Sequence, residues 1–224
     1  MRNIRAVLFD MDGLLINSEQ VNVECAQAAA REWGFEIDGV MMARTVMGLT
    51  RDKVFSAYAK LLPEGMDPEA FYRFKVEKIM ERREKEGVKA MKGAKELLLW
   101  LNAQNIACVL VTSTARESAE RTLRQLDMWD LLPVRITGDM ITRSKPDPEP
   151  YLRGAALAGV LPEECLVLED SLNGMRSGRA AGCVVGMVPD TLPYSEECEP
   201  YCDQVFEDLL QVKNWMENKQ QPSD

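Results

Sequence analysis

The sequence predicts an α/β fold, a doubly wound parallel sheet with an all-helical domain inserted after its first strand. Short apolar runs, each ended by turn or capping residues, alternate with helical patterns along most of the chain. That alternation is typical of a parallel sheet covered by helices on both faces. One interval, residues 16–90, contains helical patterns only. A chain of 224 residues, 46% of them hydrophobic, is long enough for a large core domain with such an insert.

The elements follow in order along the chain. Five apolar runs are predicted strands, at residues 4–9, 106–111, 134–137, 165–168 and 183–188. Helices are predicted after the insert at about residues 93–104, 115–127, 148–159 and 171–181, and within the insert at residues 18–33, 39–46, 51–61 and 68–86. We therefore expect an α/β core formed by residues 1–15 and 91–224, a helical domain at residues 16–90, and hinges at the two junctions.

Composition excludes several classes of function. The net charge of −9 repels phosphate backbones, so we expect no nucleic-acid partner. The chain has no histidine, which excludes His-ligated zinc and Ser-His-Asp or Cys-His catalysis and leaves acid–base work to other side chains. Neither a signal-peptide pattern nor a run of 18 apolar residues is present. The six scattered cysteines are typical of buried thiols in a reducing compartment, so we expect a cytoplasmic protein with no membrane partner.

Two carboxylates at the end of the first apolar run are the strongest functional signal. Asp10 and Asp12 are two residues apart, and residues i and i+2 of an extended chain project to the same side. Two like charges that close are costly unless a cation or a shared proton separates them. Gly13 then allows a sharp turn. This pattern favours an active site, with an Asp-Gly turn after a strand as the structural alternative.

Polar residues at other predicted strand ends complete a candidate site. In open parallel sheets, ligands bind beyond the carboxyl ends of the strands. Carboxylates, hydroxyls and a lysine together suit a hard cation and a phosphoryl group, and ligands that are all oxygen favour Mg²⁺ over zinc. Taken alone, each segment has a structural alternative as a helix start, a capping pair or a surface lysine. The residues are Thr112, Ser113, Lys145, Glu169 and Asp170.

These segments resemble a known family. Four motifs match those of the haloacid dehalogenase superfamily of phosphotransferases in order and spacing: Asp10-Met11-Asp12-Gly13, Thr112, Lys145-Pro146 and Glu169-Asp170-Ser171-x-x-Gly174. The runs at residues 9–19 and 168–182 resemble its β-phosphoglucomutase-like branch, and the resemblance covers residues 4 to about 188. It implies a Rossmann-like core and makes residues 16–90 a helical cap.

The resemblance also implies a role for each site residue. Asp10 would be the nucleophile that forms an aspartyl-phosphate, and Asp12 would protonate the leaving oxygen and later activate water. Mg²⁺ would be held by the side chains of Asp10 and Asp170 and the backbone carbonyl of Asp12, with Glu169 supporting that set. Phosphoryl oxygens would be bound by Thr112, the Ser113 amide and Lys145. Arg51 matches a cap loop that meets the substrate in this branch, with a surface arginine at a helix start as the alternative.

The expected function is a Mg²⁺-dependent phosphatase of small phosphorylated metabolites, first of all sugar phosphates. The alternative is a sugar phosphomutase, but β-phosphoglucomutases carry a histidine twelve residues after the nucleophile and a tryptophan four further on. Here those positions are Asn22 and Ala26. A second alternative is a non-catalytic binding protein on the same fold. We expect a monomer, because core and cap can bury their own apolar faces.

Overall fold

The computed structural model describes residues 3–46, 51–190 and 193–220, without the side chains of residues 44, 51–53, 219 and 220. The chain divides into two compact units. One comprises Met1–Asn17 with Lys89–Asp224, and the other comprises Ser18–Val88. Among the helices of the described chain, none combines the length and the apolar character that crossing a bilayer requires.

The helical unit contains α1 (Glu19–Glu32), α2 (Gly39–Val46), α3 (Arg51–Leu61) and α4 (Pro68–Glu86), and its described residues include no strand. Its core forms around Phe71 and Tyr58, both fully buried. Asp67 starts α4 by accepting a hydrogen bond from the Glu69 amide at 2.9 Å, with Pro68 in the first turn. Both features are favourable at a helix N-terminus, because the first amides have no partner inside the helix. The predicted helical insert is confirmed.

The other unit contains a six-stranded parallel sheet with the strand order β3-β2-β1-β4-β5-β6. The predicted parallel α/β fold is confirmed. Five of the strands lie within, or one residue beyond, the predicted apolar runs, and β6, two exposed residues long, was not predicted. The strands are β1 (Ala6–Phe9), β2 (Ala107–Val111), β3 (Val134–Ile136), β4 (Cys165–Glu169), β5 (Val184–Met187) and β6 (Gln204–Val205).

Helices cover the sheet, which explains why its central strands are continuous apolar runs. Every residue of β1 and of β4 is buried, so both faces of these strands are covered. The helix between β3 and β4 packs against β1, β2 and β3, and the next helix packs against β4 and β5. The helices of this unit are α5 (Ala94–Ala103), α6 (Arg116–Gln125), α7 (Glu149–Ala158), α8 (Leu172–Ala180) and α9 (Leu209–Gln220).

The direction of the sheet order reverses between β1 and β4. From β1 the chain adds β2 and β3 on one side, and from β4 it adds β5 and β6 on the other. Leu8 of β1 lies opposite both Val109 of β2 and Val167 of β4, so the three strands run in register. The crevice at such a reversal, beyond the carboxyl ends of the strands, is where ligands bind in open α/β sheets.

Candidate active site

Asp10 stands at this crevice, directly after β1. Its amide donates a hydrogen bond to the Leu168 carbonyl at 3.2 Å, which continues the β1–β4 pairing to the end of the strand. Its side chain is only 13% exposed and faces Lys145. The local sequence therefore delivers a carboxylate to the carboxyl end of the sheet, as expected.

Lys145 joins the ends of three neighbouring strands. Its ammonium donates to Asp10 Oδ1 at 2.5 Å, to the Val111 carbonyl at 3.0 Å and to Glu169 Oε1 at 2.7 Å. The lysine follows Ser144 and precedes a cis proline bond to Pro146, just before α7. Because an ammonium has three hydrogens, these three contacts use all of its donor capacity and fix its position.

Burial and charge act in opposite directions on the Asp10–Lys145 pair. Burial raises the pKa of Asp10 to about 7, although the Lys145 ammonium opposes that rise. Burial by itself would lower the pKa of Lys145, but the Asp10 and Glu169 carboxylates raise it above its usual value. Lys145 thus stays a cation in a pocket that holds several carboxylates, as the binding of an anionic phosphoryl group requires.

Glu169 is the fully buried end residue of β4, and four hydrogen bonds hold its carboxylate. Oε1 accepts from Lys145 and from the Tyr151 hydroxyl at 2.6 Å. Oε2 accepts from the Ser171 hydroxyl at 2.9 Å and from the Ser171 amide at 3.3 Å. Burial first and the Glu169 charge second raise the pKa of Tyr151 well above its usual value, so Tyr151 remains a donor. No sequence pattern pointed to Tyr151, and Ser171 was noted only as part of the motif Glu169-Asp170-Ser171-x-x-Gly174.

Asp10, Glu169 and Asp170 form a compact group of carboxylates. One oxygen of each lies within 4.8 Å of the others. Gly13, with a φ of +87°, makes room for this group, since a Cβ there would lie 2.2 Å from Asp170 Oδ2. A set of carboxylate oxygens of this kind fits a hard divalent cation such as Mg²⁺. Within the described chain, the carboxylate of Asp12 is not part of the group.

The Asp12 carboxylate is instead held by Thr114. The Thr114 hydroxyl donates to Asp12 Oδ2 at 2.9 Å, and the Thr114 amide donates to the Thr112 hydroxyl at 3.0 Å. Thr112 is buried, whereas the Ser113 side chain is exposed. The residues after β2 therefore reach Asp12 through Thr114, which was not among the predicted site residues. The available signal was the run of three hydroxyl residues, 112–114, directly after the second predicted strand.

Arg51 is the remaining predicted site residue. Its backbone begins α3, but its side chain lies outside the described residues. Its expected contact with substrate remains a prediction. Apart from Arg51, the predicted site residues all follow or end one of three adjacent strands, or lie in the loop that carries Lys145.

Comparison with known proteins gives consistent results. The chain matches the family described as haloacid dehalogenase-like hydrolase over residues 7–188. It is 31% identical over 181 residues to a phosphorylated carbohydrates phosphatase of Thermotoga maritima, covering 80% of this chain and 82% of that protein. It is 30% identical over 181 residues to hexitol phosphatase A of Escherichia coli, covering 81% of each. The crystal structure of a hydrolase of the same family from Deinococcus radiodurans shares the fold, with a TM-score of 0.83 at 24% identity over 97% of both chains.

Proposed function

This chain belongs to the haloacid dehalogenase-like hydrolases and is a phosphoric monoester hydrolase, and we propose that it is a Mg²⁺-dependent phosphatase of small phosphorylated metabolites, chiefly sugar phosphates. The observation that carries the proposal is the contact of one buried ammonium, Lys145, with Asp10 and Glu169 beside Asp170. The substrate class is supported by the similar T. maritima and E. coli proteins, which are named for phosphorylated carbohydrates and hexitols.

Asp10 is the proposed nucleophile. Its carboxylate oxygen attacks phosphorus, the bond from phosphorus to the ester oxygen breaks, and Asp12 gives its proton to the departing oxygen. In the second half, Asp12 takes a proton from water as the water oxygen attacks the aspartyl-phosphate, which frees Asp10 and inorganic phosphate. The Thr114 hydroxyl, 2.9 Å from Asp12 Oδ2, orients that acid and base.

Cations must offset the charge of the transferring group, because a carboxylate attacks an anionic phosphorus only if that charge is neutralised. Lys145 supplies one cation and, with the Thr112 hydroxyl and the Ser113 amide, binds the phosphoryl oxygens in this proposal. The side chains of Asp10 and Asp170 and the backbone carbonyl of Asp12 would hold Mg²⁺, near Glu169. When bound, Mg²⁺ supplies further positive charge to the phosphoryl oxygens.

The helical unit, Ser18–Val88, is the proposed cap. A phosphomutase of the β-phosphoglucomutase type is less well supported, because Asn22 stands where those enzymes have histidine. The Asn22 side-chain oxygen accepts a hydrogen bond from Lys75 at 2.9 Å, and an amide cannot act as an acid or base at neutral pH. A phosphatase also does not need to protect its aspartyl-phosphate from water.

A phosphate-release assay tests the function. The purified protein, with Mg²⁺ and a panel of hexose, pentose and hexitol phosphates, should release inorganic phosphate, and EDTA should stop the release. Asp10→Asn should abolish turnover. Asp127→Asn is the matched control, because Asp127 is exposed and has a φ of 54°, which asparagine tolerates; it should behave as wild type.

Three other outcomes have defined meanings. Release that survives Asp10→Asn excludes the proposed nucleophile. Accumulation of isomerised sugar phosphate, only when a sugar bisphosphate is added, identifies a mutase. No turnover across the panel favours the non-catalytic binding protein. The monomeric state, the cytoplasmic location and the absence of nucleic-acid and membrane partners stay predictions.

A further inference from the structure

Tyr151 lies in α7 and is completely buried. Its ring belongs to the core cluster between α7 and the sheet. Buried tyrosines usually bury the ring and give the hydroxyl a hydrogen-bond partner. Here that partner is Glu169 Oε1, at 2.6 Å, which is the same oxygen that receives Lys145.

Tyr151 contacts both members of the Lys145–Glu169 ion pair. Besides the hydroxyl contact with Glu169, the face of its ring lies 4.9 Å from the Lys145 ammonium. That distance is within the range of a favourable cation–π interaction. One side chain therefore restrains the pair from two directions.

The four hydrogen bonds to Glu169 leave its carboxylate little freedom. A carboxylate offers about four lone-pair positions, and Lys145, Tyr151 and the two Ser171 donors account for four. Substrate must displace the contact of Lys145 with Asp10, because both groups then face phosphorus. The contacts of Lys145 with Glu169 and with the Val111 carbonyl can remain. The position of Glu169 therefore sets the position of the ammonium when substrate is bound.

The helix that carries Tyr151 is mounted closely on the sheet. A Cβ on Gly154, three residues further along α7, would lie 3.2–3.3 Å from side-chain atoms of Val111, Leu8 and Val109. The absence of a side chain at Gly154 lets the helix backbone approach strands β1 and β2. Tyr151 is thus held by a packed element, and precise positioning of a site depends on such support.

We propose that Tyr151 is a positioning residue: its hydroxyl fixes Glu169 Oε1, and Glu169 in turn holds the Lys145 ammonium where the phosphoryl oxygens bind. This inference rests on the proposed phosphatase function. It assigns a role to a residue outside the four sequence motifs, and one that acts through another side chain.

Tyr151→Phe tests the role, because it keeps the ring and removes only the hydroxyl. With saturating Mg²⁺, we expect kcat to fall roughly tenfold, the effect of losing one hydrogen bond to a charged group. The affinity for inorganic phosphate, measured by calorimetry, should fall by a similar factor, while the Mg²⁺ concentration dependence stays as in wild type. In a Lys145→Ala background, Tyr151→Phe should cause no further loss of phosphate affinity.

Tyr58→Phe is the matched control. Tyr58 is equally buried, and its hydroxyl accepts a hydrogen bond from a lysine, Lys75, at 2.9 Å within the helical unit. Removing the Tyr58 hydroxyl should lower the melting temperature about as much as Tyr151→Phe does. Its effect on phosphate affinity should be the same in the wild-type and Lys145→Ala backgrounds. This comparison separates the general cost of removing a buried hydroxyl from an effect on Lys145.

Three results would overturn the role of Tyr151: wild-type kcat and phosphate affinity in Tyr151→Phe, an equal loss in both backgrounds, or a change limited to the Mg²⁺ dependence. The last would mean that Tyr151 acts on the carboxylate group instead of Lys145. A wild-type protein without turnover would count against the phosphatase proposal, and the phosphate-affinity cycle would still decide whether Tyr151 and Lys145 are coupled.

Discussion

Replacement of Gly174 by alanine tests the position of the Glu169 carboxylate. Gly174 lies in the first turn of α8, where its amide donates to the Ser171 hydroxyl at 3.1 Å. A Cβ at this position would lie 1.8 Å from Cδ and from Oε1 of Glu169 and 2.2 Å from Oε2. Such distances are far below van der Waals contact, so the carboxylate that holds Lys145 must move.

The size of the effect follows from two opposing contributions. Alanine in place of glycine within a helix stabilises it by about 1 kcal/mol. Separating the buried Glu169–Lys145 pair costs about 3–5 kcal/mol, because the Glu169 charge loses its cation inside the protein, whereas Lys145 keeps Asp10. We therefore expect the free energy of unfolding to fall by about 2–4 kcal/mol, the difference of these two values. A displaced Lys145 should also lower kcat about 100-fold, as misplacing a catalytic group by about 1 Å does.

Urea unfolding followed by tryptophan fluorescence measures the change in stability. A Trp33→Phe background confines the signal to the sheet unit, since the other three tryptophans, at positions 100, 129 and 215, belong to it. Gly178→Ala, in the same helix, is the control. The atoms nearest to its Cβ would be those of the Val167 side chain, at 3.0–3.2 Å. Overpacking costs about 1–3 kcal/mol and the helix gains about 1 kcal/mol from alanine, so we expect a loss of at most about 2 kcal/mol and a wild-type kcat. A Gly174→Ala protein as stable and as active as wild type would refute the placement of Glu169 against α8.

Three further outcomes are expected. Burial raises the pKa of Asp10 to about 7, and a bound cation favours the carboxylate, so Mg²⁺ binding at pH 6 should release protons. Calorimetry in buffers of different ionisation enthalpy measures this release, and a binding enthalpy that is independent of the buffer would contradict the prediction. Thr114→Val should lower kcat about tenfold, because it removes the hydrogen bond to Asp12. Thr114→Ser keeps the hydroxyl and should have a kcat near that of the wild type. Equal kcat values for the two variants would exclude a role of the hydroxyl in orienting Asp12. Burial lowers the pKa of Lys75 from 10.5 to about 8, so between pH 8 and pH 10.5 the unfolded chain binds more protons than the folded protein does. The free energy of unfolding of the wild type, relative to that of Lys75→Met, should therefore rise by about 1.4 kcal/mol per pH unit in this range. Urea unfolding that finds the same difference at each pH would contradict this.

The central strands were predictable because each is a continuous apolar run, and burial on both faces of a parallel sheet requires that pattern. One strand, β6, and one α-helix, α9, were not predicted, and both lack it. Strand β6 is two exposed residues, Gln204–Val205, and exists only because β5 offers it an edge. Helix α9 buries Leu209, Val212 and Met216 at helical spacing, but polar residues such as Gln211, Lys213 and Asn214 interrupt any continuous apolar run. This helix continues through Glu217 to Gln220.

The candidate site also contains residues that the sequence predicted and contacts that it did not. Asp10, Glu169 and Asp170 were predictable because each stands at the carboxyl end of an apolar run. The contacts of Thr114 with Asp12 and of Tyr151 with Glu169 were not predicted. Tyr151 in particular has the pattern of an ordinary core residue of a helix, and its hydroxyl gains a function only from the strand end that faces it.

The sequence by itself determined which chemistry is available: carboxylates, a lysine and hydroxyls at strand ends, with histidine excluded. It also determined the alternation of strands and helices, because burial patterns are local and repeat with the period of each element. Only the tertiary structure decided that Lys145 donates to both Asp10 and Glu169, 135 and 24 residues away, and that Tyr151 supports the pair. Such contacts depend on strand order and helix packing, and hydrogen bonds between residues so distant in sequence leave no periodic pattern along the chain.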